Sequence, residues 1–309
     1  MSALLAEEAP ETVLRSVPVD ASPPPGGVDQ DQVRLGVSQV LLGTSFLLVW
    51  VLLYVFVLSG LEQAHSQKSL YDELRSQLAE GTAPVGAPVT PGAPVALMSI
   101  PNVGVKDVVV VEGTRPAQLQ DGPGHVLGSV LPGQQGTSVV AGRSLSFGAP
   151  FEGIRNLQIG EPIQVTTQQG EFTYTVVGLR KDGDPAPAAV AAGKGRLTLL
   201  TALRDRGLGG IQAEETLFVD AELDQAAVGG QKSVSDTQAT TTWMEARLDT
   251  ATLPLLALTL QLLVAALVGF SWAWARWSRP AAWIAGAPVV LATLWLVSSI
   301  GSRLLPGLV

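Results

Sequence analysis

Three stretches without a charged side chain constrain this chain more than anything else in it. Residues 35–61, 251–275 and 280–302 each exceed the roughly 20 residues that cross about 30 Å of hydrocarbon. No water satisfies peptide groups inside lipid, so each is expected to be a membrane-spanning helix. The first is too long for a secretory signal core of about 7 to 15 residues and follows a tail of residues 1–34, so it reads as an uncleaved anchor. The turn between the second and third carries Arg276 and Arg279 and no acid, which marks it as cytoplasmic. The expected topology is a multi-pass cell-membrane protein with a cytoplasmic amino terminus and with residues 61–250 and the carboxyl end outside.

Charge and cysteine content remove several function classes. Residues 61–250 hold 14 basic against 21 acidic side chains, and residues 1–34 hold 2 against 6. Neither has the basic face that neutralises phosphates, so no nucleic-acid role is expected. The chain has no cysteine, which excludes disulfides, thiolate metal sites and thiol nucleophiles together.

Between and around the spans the pattern changes repeatedly. Residues 1–34, with Pro23, Pro24, Pro25, Gly26 and Gly27, read as a disordered cytoplasmic tail, or alternatively as a docking segment for a cytoplasmic partner. Leu70, Leu74 and Leu78 recur at helical spacing within 62–80, and Gly81 is a stop signal, so a helical stalk is expected to continue the first span. Residues 81–94, GTAPVGAPVTPGAP, read as a semi-extended linker. From 95 to 223 the period becomes two. Short runs at 95–100, 105–111, 137–141, 162–167, 172–179, 196–201 and 216–222 are rich in Val, Ile, Thr and aromatics and separated by turn residues, the signature of a closed or nearly closed β-barrel. Residues 224–250 read as a polar linker with Trp243 at the outer interface. Trp272, Trp274, Trp277 and Trp283 then suit a cytoplasmic-side aromatic belt. The two further spans serve either firmer anchoring or packing on a membrane partner through small residues such as Ala285, Gly286 and Ala287.

The segment GPGHVLGSVLPGQQGTSVVAGRSLSFGAPF at 122–151 resembles the central segment of the sortases, the surface transpeptidases of Gram-positive bacteria. It is most similar to the actinobacterial class E type, with its GPGH, LPGQxGN, AGHR and GAPF pattern. SIPNVGVKDVVVVEGT at 99–114, KDGD at 181–184 and RLTLLT at 196–201 extend the resemblance in order over about 96–223. It implies a mostly β protein: a sortase-type closed β-barrel ectodomain, here joined to three transmembrane α-helices.

In that family a cysteine thiolate attacks the peptide bond of a sorting motif, a histidine carries protons, and an arginine stabilises the oxyanion or orients substrate. By the same resemblance the histidine position falls on Arg143, the cysteine position on Ala202 and the arginine position at about Thr216. Arginine cannot act as a base near neutral pH, and a methyl group cannot attack. The implied catalytic set is therefore empty, and no cofactor or metal is expected. Asp182 with Asp184, and Glu214 with Glu215, lack the ligand spacing of a calcium loop.

Ser144, Thr201 and Ser138 are candidate relocated nucleophiles, but each needs a base. The chain's two histidines are His65 on the stalk and His125 in the GPGH turn, the latter read as a hydrogen-bonded turn residue. Binding candidates are Arg143, Ser144, His125, Arg204 and Arg206. Arg143 is either a space-filling cation paired with a local acid or a cation kept to hold a carboxylate or peptide carbonyl. The expected function is that of a catalytically inactive sortase-like membrane protein, a binding or scaffold module for a surface protein or sorting-motif peptide. The alternative is a transpeptidase or hydrolase with a relocated nucleophile such as Ser144.

Overall fold

The structure, a computed structural model, describes residues 30–86, 88–203, 215–229, 252–304 and 308. Contacts divide the chain into two units, 1–48 and 49–309. The described part of the first is the start of helix α1 (Gln30–Leu53). The second holds the end of α1, a π turn (Tyr54–Leu58), α2 (Ser59–Glu80), a β-barrel and two further helices, α4 (Thr252–Arg276) and α5 (Arg279–Gly301). Three helical segments, Leu41–Glu80, Thr252–Arg276 and Arg279–Leu304, are long and apolar enough to cross a membrane.

Eight strands close the barrel: β1 (Pro94–Ile100), β2 (Val105–Glu112), β3 (Gly124–His125), β4 (Gly136–Ala141), β5 (Pro162–Thr167), β6 (Gly170–Lys181), β7 (Gly195–Leu203) and β8 (Glu215–Leu223). Their order around the barrel is β1-β2-β3-β4-β7-β8-β6-β5. The β2–β3 and β4–β7 pairs are parallel and the others antiparallel. Seven strands lie where two-residue periodicity predicts them. In β6, Phe172, Tyr174 and Val176 are buried while Val177 is exposed, the alternation of a sheet with one packed face. The unforeseen elements are β3, only two residues long, and the short helix α3 (Pro116–Asp121). Pro116 opens α3, where a missing N–H costs nothing.

The residues expected to form a stalk lie along the barrel. Leu74 packs with Ala83 and Val109, and Leu70, Leu78 and Leu97 join them. Gln67 completes the exposed backbone of β2: Val109 N–H donates to its Oε1 at 2.8 Å, and its Nε2 donates to the Val109 carbonyl at 3.0 Å and the Asp121 carbonyl at 2.8 Å. The amide thus supplies at one point what a neighbouring strand would supply. The linker also lies on the barrel, with Gln134 Nε2 donating to the Val85 carbonyl at 2.8 Å and Gly92 N–H to the Glu112 carbonyl at 2.7 Å.

The last helix reaches the same end of the barrel. Trp50 Nε1 donates to Ser298 Oγ at 3.0 Å, and Glu62 accepts from Tyr54 at 3.0 Å and from Ser299 at 2.7 Å. Gln120 Nε2 of α3 donates to Ser302 Oγ at 2.9 Å. Ser59, at the end of the π turn, donates to the Val55 carbonyl and accepts Phe147 N–H at 3.1 Å. A back-bonded serine beside a π turn loosens the helical ladder locally, and here it does so where the helix meets a barrel loop.

Candidate functional site

Strand alternation sorts the candidate residues. On β7, Leu197 and Leu199 enter the barrel core, whereas Leu200 and Ala202 join a second cluster outside it with Leu119, Ala141 and Leu308. On β8, Leu217, Val219 and Ala221 point inward and Phe218 packs on the outer cluster. Ala202 and Thr216 are cross-strand partners, and Ala141 is the register partner of Leu200. Arg143 follows two residues after Ala141. The three positions singled out by resemblance therefore lie at one end of one face of the sheet β4–β7–β8.

The loop after β4 is closed tightly. Gly142 N–H donates to the Leu200 carbonyl at 2.9 Å, Thr201 Oγ1 donates to the Gly142 carbonyl at 2.8 Å, and Phe151 N–H donates to the Arg143 carbonyl at 3.0 Å. A Cβ on Gly142 would overlap the Phe151 ring, so only glycine fits there. Phe147 and Ala149 adopt positive φ, 51° and 44°, unusual for residues with a Cβ. Burial of the Phe147 ring and its N–H bond to Ser59 hold that conformation.

Arg143 is 0% exposed. Its Nε donates to the Leu119 carbonyl at 3.1 Å, one terminal nitrogen to Ser146 Oγ at 3.0 Å and the other to the Pro116 carbonyl at 3.4 Å. The guanidinium lies 4.9 Å from the centre of the Phe147 ring. Burial lowers its pKa to about 10, still far enough above neutral for it to stay cationic. It braces α3 against the loop and does not open onto a cleft.

The other described candidates are also buried or bonded in place, Ser138 by burial alone. Ala202 and Thr216 are both 4% exposed; the Thr216 carbonyl accepts Asp182 N–H at 3.1 Å. Ser144 donates its N–H, at 3.1 Å, and its hydroxyl, at 3.3 Å, to the carbonyl of Leu308. Ser138 is buried with its hydroxyl unpartnered. Asp184 caps the turn through Lys181 N–H at 2.6 Å, and Glu215 pairs with Lys181 at 2.7 Å. Arg204, Arg206 and Glu214 lie outside the described residues.

Two residues not singled out in the sequence join His125. Its Nδ1 lies 2.7 Å from Glu112 Oε2, and its Nε2 lies 2.9 Å from both the Val130 carbonyl and Ser129 Oγ. Serine, histidine and carboxylate thus stand in the sequence of a hydrolase triad. The surrounding partners and the burial weigh against that use: Nε2 also faces the Val130 carbonyl, which competes with Ser129 for it. The Ser129 hydroxyl spends its own proton on the Val126 carbonyl at 2.8 Å and accepts Val139 N–H at 3.2 Å. His125 itself is 1% exposed, so a substrate has no open approach to the row. The row braces the turn between β3 and β4. The detectable signal was Glu112 ending the apolar run VVVVE.

Next to the closed end lies an open groove of about 320 Å³, lined by Thr137 and Val139 of β4, Arg196, Thr198 and Leu200 of β7, Phe218 of β8 and the β6–β7 loop at Pro187–Val190. Its charges are matched within the barrel. Arg180 donates to Asp220 at 2.8 Å and stacks 4.0 Å over Phe218, Thr198 donates to Asp220 at 2.6 Å, and Arg196 reaches Glu222 at 3.3 Å and the Ala188 carbonyl at 2.7 Å.

Residues 98–221 match the family described as the sortase domain. Among solved structures, the sortase D5 transpeptidase of Clostridium perfringens is 22% identical, with 52% of this chain and 99% of that one covered and a TM-score of 0.44. A lid mutant of sortase A from Corynebacterium diphtheriae is 22% identical, with 52% and 94% covered and a TM-score of 0.38. Sortase C of Clostridium perfringens, solved with the C-terminal cell wall sorting motif, is 21% identical, with 53% and 90% covered and a TM-score of 0.36. No curated protein matches the chain. The barrel is a sortase domain, in a chain with no cysteine.

Proposed function

We propose that this chain is a catalytically inactive, class E-like sortase homologue of the cell membrane that binds a peptide segment of a surface protein without cutting it. The observation that carries the reading is the division of one sheet face into two ends. One end keeps an open groove on β4, β7 and β8. The other, where chemistry would need a thiolate, a proton carrier and an oxyanion donor, has Arg143, Ala202 and Thr216. Because Arg180 and Arg196 are already matched by Asp220 and Glu222, the groove suits a neutral, partly apolar peptide laid beside the strands. The three helices anchor the module, with Arg276 and Arg279 on the cytoplasmic side and the barrel outside.

The test uses the intact chain in nanodiscs. Sorting-motif peptides are expected to be neither cleaved nor transferred. A photocrosslinking side chain at Val139 in native membranes should capture one defined surface polypeptide, and Thr137→Trp, which fills the groove, should abolish that capture. Peptide turnover that disappears in Ser144→Ala or Ser129→Ala would establish the enzyme reading instead.

A further inference from the structure

The residues that hold Leu308 form more than an apolar patch. Its side chain, 1% exposed, packs with Leu119 of α3, Ala141 of β4, and Leu200 and Ala202 of β7, and Phe218 of β8 lies against the group. Its carbonyl takes both the backbone N–H and the hydroxyl of Ser144. One side chain in a pocket and one main-chain carbonyl on a backbone N–H are the elements by which an extended peptide is read residue by residue. Leu200 and Phe218 line the open groove as well as this seat, so the two are continuous. Position 202 adds only a methyl group to this cluster.

We propose that this seat is a subsite for an aliphatic residue of a peptide ligand, and that the chain's own Leu308 occupies it in competition with peptide entering from the groove. The inference rests on the groove reading above and adds the side-chain class the site selects. No bond is made or broken; one leucine side chain and one carbonyl exchange for another pair. A tethered occupant acts at an effective concentration on the order of millimolar, so a weak free peptide loses to it. The competitor follows α5, which ends at Gly301 and is tied to the barrel through Ser302 and Gln120, so the position of the last helix governs access.

The experiment uses the full chain in nanodiscs and, as probe, a fluorescein-labelled peptide of residues 301–309, GSRLLPGLV. Leu308→Ala should bind the probe about tenfold or more tightly than the unaltered chain, and adding Ala202→Leu should return binding to the starting level. Because the chain has no cysteine, Ala202→Cys with Leu308→Cys should give a single intramolecular disulfide on mild oxidation, counted by mass, and should block the probe. A Leu308→Ala chain whose barrel melts normally but gains no probe affinity overturns the proposal, and so does a folded double variant that forms no disulfide. Probe gain without capture at Val139 retires the groove reading and keeps the subsite; capture without probe gain retires only the subsite.

Discussion

The turns on either side of β4 solve the same problem with different side chains. Before the strand, His125 is 1% exposed and lies between the Glu112 carboxylate and the Val130 carbonyl. After it, Arg143 is 0% exposed and holds the Leu119 and Pro116 carbonyls and the Ser146 hydroxyl. Both are buried polar braces, and both tie the strand to its neighbours. The first lies in the GPGH turn and braces the way into the strand. The second ties the loop after the strand to α3. A buried guanidinium with five fixed donors can satisfy several main-chain acceptors at once, which a histidine cannot do.

The largest effect should come from breaking the second brace. Arg143→Ala leaves a cavity and strips donors from buried acceptors, and should cost about 3 kcal/mol or more in barrel stability, read from denaturant unfolding of the intact chain. Arg143→Met keeps the volume and removes the desolvated charge, so its cost should be about half that. Equal losses for the two variants would show that charge and hydrogen bonds, not volume, dominate the position.

Breaking the first brace should cost less. Glu112→Gln keeps the shape but replaces a carboxylate partner of His125 with a neutral one, at about 1 to 2 kcal/mol. Ser129→Ala should cost about 1 kcal/mol, since the hydroxyl bridges Val126 and Val139 and touches His125 without carrying a charge. A change in peptide turnover on altering Ser129 would contradict its role as a turn brace.

A comparison of reactivity probes the two ends directly. The thiol introduced by Ala202→Cys should react with a small alkylating reagent slowly, because Leu308 covers it, and about tenfold faster when Leu308→Ala is added. A thiol introduced by Thr137→Cys, in the open groove, should react fast in both backgrounds. Similar rates at 202 with and without Leu308 would show that the seat is not covered in solution.

Much of the barrel was legible because sheet faces alternate with period two, and β6 shows it plainly at Phe172, Tyr174 and Val176. The reason β7 reads as an almost unbroken apolar run was not legible. Its inward face, Leu197 and Leu199, packs the core, but Leu200 and Ala202 are buried by α3 and by a residue more than a hundred positions away. Motif order singled out Arg143, Ala202 and Thr216, and the last two are cross-strand partners. Ser129, Glu112 and Leu308 stayed invisible because their roles depend on contacts made by folding, not on local spacing. The partners weighed for Arg143 in the sequence were a local acid or a ligand's carboxylate or peptide carbonyl, not the chain's own Leu119 and Pro116 carbonyls. No pattern predicts which carbonyls a six-residue helix such as α3 will turn toward a neighbouring side chain.

The smallest expected effect concerns the seam between barrel and helix, where Gln67 holds the Asp121 carbonyl. Burial raises the pKa of the Asp121 side chain above its ordinary value of 3.8, nearby Glu62 raises it further, and a Ser66 hydrogen bond and Arg303 pull it partly back. A carboxyl group with a raised folded pKa binds its proton more tightly when folded. Its contribution to stability is therefore full below the unfolded pKa and is lost as pH rises through the folded one. Asp121→Asn removes the titration while keeping a side chain that can meet Ser66. The difference in unfolding free energy between the two chains, measured in nanodiscs from acidic to neutral pH, should be small at the acid end. It should shift in favour of the asparagine form as pH rises, and then stay constant above the carboxylate range. A difference that instead grows in favour of aspartate would mean that the cation at Arg303 outweighs burial at this seam, and that the barrel meets its apolar helices through an ion pair and not through desolvated contact.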